Sequence, residues 1–140
     1  MSEEKTVSRK NLTLYKGFSI LEEKLFSGVC VDYYDNGQKK YERNFKNGKE
    51  EGFCIHWYEN GQKKSEGQYR DGKEEGLWSY WDENGKKIHE KHYLNGNKEG
   101  PETFWYPNGK KEEETNYKDG KKDGRYTVWD ENGKKNYEKH

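Results

Sequence analysis

The chain has 140 residues, of which 27% are hydrophobic and 39% charged, with 27 basic residues against 27 acidic ones and no net charge. That length fits one domain, and the balanced charge argues against a protein that holds DNA or RNA by neutralising phosphates. So polar a chain would ordinarily stay unfolded, because little apolar surface is available to offset conformational entropy, but a 16% aromatic content set in a strict period opposes that outcome.

Residues 1–10, MSEEKTVSRK, contain no apolar stretch of the kind a secretion signal needs, and no later run approaches transmembrane length. A cytoplasmic location is therefore expected, with residues 1–10 as a flexible tail. Residues 11–27 are more apolar, and Phe18, Ile20, Leu25 and Phe26 have strand character. They read as a degenerate first unit that caps the rest of the chain, since terminal repeats are atypical.

From Gly28 onward the chain is periodic. Gly28, Gly52, Gly76, Gly100 and Gly124 stand 24 residues apart, as do the pairs Asn36-Gly37, Asn60-Gly61, Asn84-Gly85, Asn108-Gly109 and Asn132-Gly133. A second series, Asn47-Gly48, Asp71-Gly72, Asn95-Gly96 and Asp119-Gly120, keeps the same step. Only Gly17 and Gly67, among sixteen glycines, lie off this lattice. A fixed period of this size marks a repeat array, with units at 28–51, 52–75, 76–99, 100–123 and 124–140.

Between the turn pairs lie aromatic and β-branched segments such as FCIHWYE and QKKSEGQYR. Asn-Gly and Asp-Gly between such segments predict β-hairpins, because type I′ turns need positive φ at both central residues. The expected fold is all-β: an elongated, single-layer antiparallel meander of 24-residue hairpin repeats. It holds no thick core and depends on contacts between neighbouring units. Two-residue Asn-Gly loops would set Trp57 opposite Lys64, Trp81 opposite Ile88, His56 opposite Ser65 and Tyr80 opposite His89. One face then carries Tyr33, Trp57, Trp81, Trp105 and Trp129 with the Glu42, Glu66, Glu90, Glu114 and Glu138 column. The other carries Phe45, Tyr69, Tyr93 and Tyr117 with Lys39, Lys63, Lys87, Lys111 and Lys135. A single bulge would reassign these faces.

Candidate chemistry is sparse. Cys30 and Cys54 share a column about two strand spacings apart, roughly 9–10 Å, too far for a disulfide, so both are expected as free thiols. His56, His89, His92 and His140 lack metal-ligand spacing, and Cys54 with His56 makes two ligands where zinc wants four. The repeated glutamate has the symmetry of a structural column, whereas catalytic carboxylates need environments that differ. Phosphate loops open helices, and here every glycine turn joins strands. No cofactor, metal or catalytic set is expected.

The unit G-x-x-x-x-W/Y-x-x-N-G followed by K-K-x-x-E-x-x-Y-x-N/D-G-K-x-E/D-G resembles the MORN-repeat variant of many bacterial proteins, over about residues 28–140. It is similar to the repeat of a group labelled toxin–antitoxin system antitoxins. The resemblance implies a non-catalytic binding protein that blocks a partner protein, a toxin, in the manner of an antitoxin or immunity protein. Membrane scaffolding by anionic lipid is the alternative drawn from eukaryotic MORN arrays, from whose denser glycine pattern this chain departs. A glycan-binding envelope protein is a third reading. The expected contact residues are Trp57, Trp78, Tyr80, Trp81, Tyr93, Phe104, Trp105, Tyr106 and Tyr117, because exposed ordered aromatics anchor protein contacts.

Overall fold

The computed structural model describes residues 6–15, 18–21 and 24–140. Four short strands come first: β1 (Thr6–Ser8), β2 (Thr13–Tyr15), β3 (Phe18–Leu21) and β4 (Lys24–Leu25). The array begins with β5 (Gly28–Tyr33), β6 (Lys39–Lys46), β7 (Lys49–Trp57), β8 (Lys63–Arg70), β9 (Lys73–Trp81) and β10 (Lys87–Leu94). It continues as β11 (Asn97–Lys98), β12 (Gly100–Trp105), β13 (Lys111–Lys118), β14 (Lys121–Trp129) and β15 (Lys135–Lys139). Strands β5 to β15 pair in sequence order as one long antiparallel meander, with β11 and β12 both on β10. No helix among the described residues is long and apolar enough to cross a membrane.

Residues 6–8, expected in a flexible tail, instead form an edge strand parallel to β5, Thr6 opposite Val29. Arg9–Asn11 then make one 3-10 turn. Residues 1–5 of that expected tail lie outside the described residues. Strands β2 to β4 form a small separate sheet that closes over the first unit. Ser19 N–H donates to Gly48 O at 2.8 Å and Gly48 N–H to Phe26 O at 2.7 Å. Phe26 packs against Phe45 with ring centroids 5.6 Å apart. The apolar core sits here, where Val7, Phe26, Cys30 and Tyr41 are buried and Leu12, Leu21 and Phe45 pack around them.

The two turn series differ physically. At Asn47-Gly48, Asp71-Gly72, Asn95-Gly96 and Asp119-Gly120 both residues have positive φ, about 50° and 80°, the geometry of a two-residue type I′ turn. In the other series only the glycine does. There Tyr58 N–H reaches Gln62 O at 2.8 Å and Gly61 N–H reaches Tyr58 O at 2.9 Å, so the loop has three residues and closes with glycine in a bulge. The expected pairing is corrected accordingly. His56 does face Ser65 and Tyr80 faces His89, but Trp57 pairs with Lys63 and Trp81 with Lys87. Lys64 and Ile88 are the extra residues, and the bulge turns the Lys39, Lys63, Lys87, Lys111 and Lys135 column onto the tryptophan face.

Side chains tie each unit to the next. Asn60 Oδ1 accepts from Gln62 N–H within its own turn, while its Nδ2 donates to Glu83 O one unit on, at 2.8 Å. Tyr58 Oη donates to Trp81 O at 2.9 Å. The glutamates before Gly52, Gly76 and Gly100 have partners too: Glu51 Oε2 accepts Asp71 N–H, Glu75 Oε2 accepts Asn95 N–H and Glu99 Oε2 accepts Asp119 N–H. These bonds explain why the recurring polar residues keep fixed offsets, since every turn must satisfy its backbone donors.

Candidate functional site

Two faces result, and they are chemically different. On the indole face, each lysine ammonium meets two groups at once. Lys39 Nζ lies 2.7 Å from Glu42 and 5.8 Å from the Trp57 ring centroid. Lys63 pairs with Glu66 and lies over Trp81 at 5.4 Å, and Lys87, paired with Glu90, approaches the same ring at 5.7 Å. Lys111 repeats the pattern with Glu114 and Trp129. Below them Ser79, Thr103 and Thr127 are buried, and Ser79 Oγ donates to Glu90. Cation–π and exposed ion-pair contacts each contribute about 1 kcal/mol or less, but the same tile recurs in unit after unit. Charges are cancelled in place, and the rings of Trp57, Trp81 and Trp129 are met by ammonium groups.

The opposite face does not repeat in this way. Its column Cys30, Cys54, Trp78, Glu102, Tyr126 changes chemistry at almost every step, as do Asp32, His56, Tyr80, Phe104, Val128 and Arg43, Gly67, Lys91, Thr115, Lys139. Trp78, 7% exposed, stands edge-on between Tyr69 at 5.2 Å and Tyr93 at 6.4 Å. Its ring lies on the bare backbone of Gly67, where a Cβ would come within 2.1 Å. Lys91 Nζ sits over the rings of Tyr80 and Tyr93, at 5.1 and 5.3 Å. Beside it the His89 imidazole is stacked between Tyr80 at 5.0 Å and Phe104 at 4.0 Å, nearly parallel to the latter.

An ionic network completes this cluster. Glu102 is buried and receives Lys98 Nζ at 2.6 Å and His89 Nε2 at 2.8 Å. Burial alone would raise its carboxyl pKa, but the Lys98 and His89 hydrogen bonds outweigh that and hold it below the ordinary value. Burial lowers the His89 pKa, against the pull of Glu102, so the imidazole is neutral at pH 7 and donates from Nε2. Lys98 also covers the Tyr117 ring at 4.6 Å.

The expected contact residues therefore divide. Trp78, Tyr80, Tyr93, Phe104 and Tyr117 are brought together on the variable face. Trp57, Trp81 and Trp105 lie on the indole face, and Tyr106 belongs to a turn, its Oη donating to Trp129 O at 2.8 Å. Sequence reasoning missed His89, Lys91, Lys98, Glu102 and Gly67. The signal that finds them is their break from the column pattern, most plainly Gly67 off the glycine lattice. Cys30 and Cys54 are free and buried, with burial pushing the Cys54 thiol pKa up to about 11. No group of three or more His, Cys, Asp or Glu among the described residues is placed to hold a metal ion.

No curated protein matches the chain. The family described as MORN repeat variant matches it at residues 27–47, 50–71, 74–95, 98–119 and 122–140. With five matched repeats running from the cap to the last strand, the chain belongs to the MORN repeat variant family.

Proposed function

We propose that this chain is a non-catalytic scaffold that binds another protein through the variable face, occluding it in the manner of an antitoxin or immunity protein. One observation carries the reading. Units that share backbone, turns and the Lys–Glu–Trp tile differ on this face in most columns, as they also do in the outer indole-face column Val29, Phe53, Leu77, Pro101, Arg125, and here the differences concentrate aromatic and charged groups between Tyr69 and Tyr117. Identity between units is what a stacked sheet requires; difference is what recognition requires. The aromatic anchors are held rigid by edge contacts and by the Lys98–Glu102–His89 network, so little ordering cost remains for association. The lysines of the indole face are already paired with glutamates, which leaves anionic lipid no clustered charge.

The test compares faces. Immobilised chain is exposed to lysate of the source cells at low and high salt, with Tyr93→Ala on the variable face and Phe53→Ala on the outer column of the indole face, folding of each checked by circular dichroism. One stoichiometric protein, kept at high salt by Phe53→Ala and lost by Tyr93→Ala, supports the reading. Loss through Phe53→Ala alone assigns binding to the other face and refutes it. Recovery of anionic lipid, released by salt and with no protein partner, refutes it as well.

A further inference from the structure

Where the cap meets the array, a cavity of about 420 Å3 opens beneath the 3-10 turn, within the roughly 300–1,000 Å3 typical of small-molecule sites. Its polar lining is Arg9, Ser19, Tyr41 and Arg43, and its apolar lining is largely Leu12 and Phe45. A second hollow of about 200 Å3 adjoins it, sharing Ser19, Arg43 and Phe45. Arg43 is the hinge between them. Its Nη1 donates to Glu50 at 3.3 Å and its guanidinium carbon lies 4.9 Å from the Tyr41 ring centroid. Its Nε is buried and has no hydrogen-bond partner among the described residues. The Arg43 side chain is 39% exposed as a whole, but a buried N–H left unpaired is still costly and favours an acceptor.

We propose that this cavity binds a small amphiphilic carboxylate, its head received by Arg43 and Arg9 and its apolar part lying along Leu12 and Phe45. Among the described residues no carboxylate lines the larger cavity; Glu50 sits on the Arg43 side facing the smaller one, and Asp32 lies near enough to Cys30 to help raise its thiol pKa. The planar guanidinium suits a planar carboxylate through paired N–H donors. The apolar wall distinguishes the ligand from a bare inorganic anion. Cys30 is 2% exposed and burial raises its thiol pKa, so the site offers a neutral thiol and binding without covalent chemistry. The ligand would touch the cap through Arg9, Leu12 and Ser19 and the array through Tyr41, Arg43 and Phe45. Its binding thus couples to docking of the cap and raises thermal stability by mass action.

The experiment is calorimetric titration of the full chain with octanoate, with octanol and inorganic phosphate as controls, repeated on Arg43→Met and Arg9→Gln. Octanoate should bind at one saturable site, with octanol and phosphate each weaker by about tenfold or more and each variant weakened about fivefold or more, by loss of a charged contact. Arg9 is exposed, so Arg9→Gln decides the matter if Arg43→Met fails to fold by circular dichroism. Absence of saturable octanoate binding overturns the proposal. So does unchanged binding in Arg9→Gln, or octanol or phosphate binding as tightly as octanoate.

Discussion

Replacing Gly67 by alanine adds one methyl group to the sheet, and the structure says where it goes. The new Cβ would lie 2.1, 2.3 and 2.6 Å from Cδ2, Cε2 and Cε3 of Trp78, separations that real contacts do not reach. Gly67 is not among the positive-φ glycines, so backbone strain contributes nothing and the effect is steric. Trp78 cannot yield easily, because Tyr69 and Tyr93 hold its edges. Overpacking of this kind costs about 1–3 kcal/mol, and loosening two aromatic pairs adds about 0.5–1.5 kcal/mol each. Gly67→Ala should thus lose roughly 2–6 kcal/mol, a large share of the about 5–15 kcal/mol that stabilises an ordinary domain. Urea unfolding read by both tryptophan fluorescence and circular dichroism measures it, the two probes testing whether the array unfolds as one unit. In a Trp78→Ala background the same substitution should be neutral, or stabilising by about 0.5–1 kcal/mol because alanine suits a strand better than glycine. An equal cost in both backgrounds, or a change within about 0.5 kcal/mol in the native one, would refute the steric argument.

Three further outcomes are expected. Glu75→Ala removes the acceptor of Asn95 N–H and should cost about 1 kcal/mol, with faster amide exchange localised at the Asn95-Gly96 turn rather than spread over the sheet. Acid should destabilise the fold in two stages. His56 and His89 have folded pKa values held below 6.5, chiefly by burial, so the unfolded chain binds protons first and stability falls as pH drops below about 6.5. Glu102 is also held low, so stability drops again at lower pH as its carboxyl protonates; a urea midpoint unchanged between pH 7.5 and 5.5 would contradict the histidine stage. Cys54, buried and with its thiol pushed up to about 11, should react with iodoacetamide at pH 7.5 far more slowly in the native chain than in urea, as peptide mapping of the alkylated cysteine will show.

Much of the architecture was legible because it is periodic. Asn47-Gly48 and its three equivalents place a flexible residue where both φ angles must be positive, and that local requirement reads directly from residue type. The tryptophan and glutamate columns came from strand alternation, and they share a face as expected: Ile55 faces Glu66 on the face where Lys63 meets Trp81. The lysine column was not legible in the same way. Asn60-Gly61 looks identical to a type I′ pair in sequence, yet closes a three-residue loop, and the extra residue at Lys64 moves Lys63 across the sheet. One residue of register decides a face, and turn composition alone does not distinguish the two loops.

The sequence by itself determined the repeat length, the strands, the turns and the columns, because each depends on interactions within one hairpin or between identical neighbours. The tertiary structure alone decided that the lysine column joins the tryptophan face, how β1 to β4 close the first unit, and which of the aromatic residues belong together. It alone seats Trp78 on Gly67 and brings His89, Glu102 and Lys98 into one network from separate strands. Those contacts depend on bulges and on pairs that occur once, and a relation that occurs once leaves no period to read.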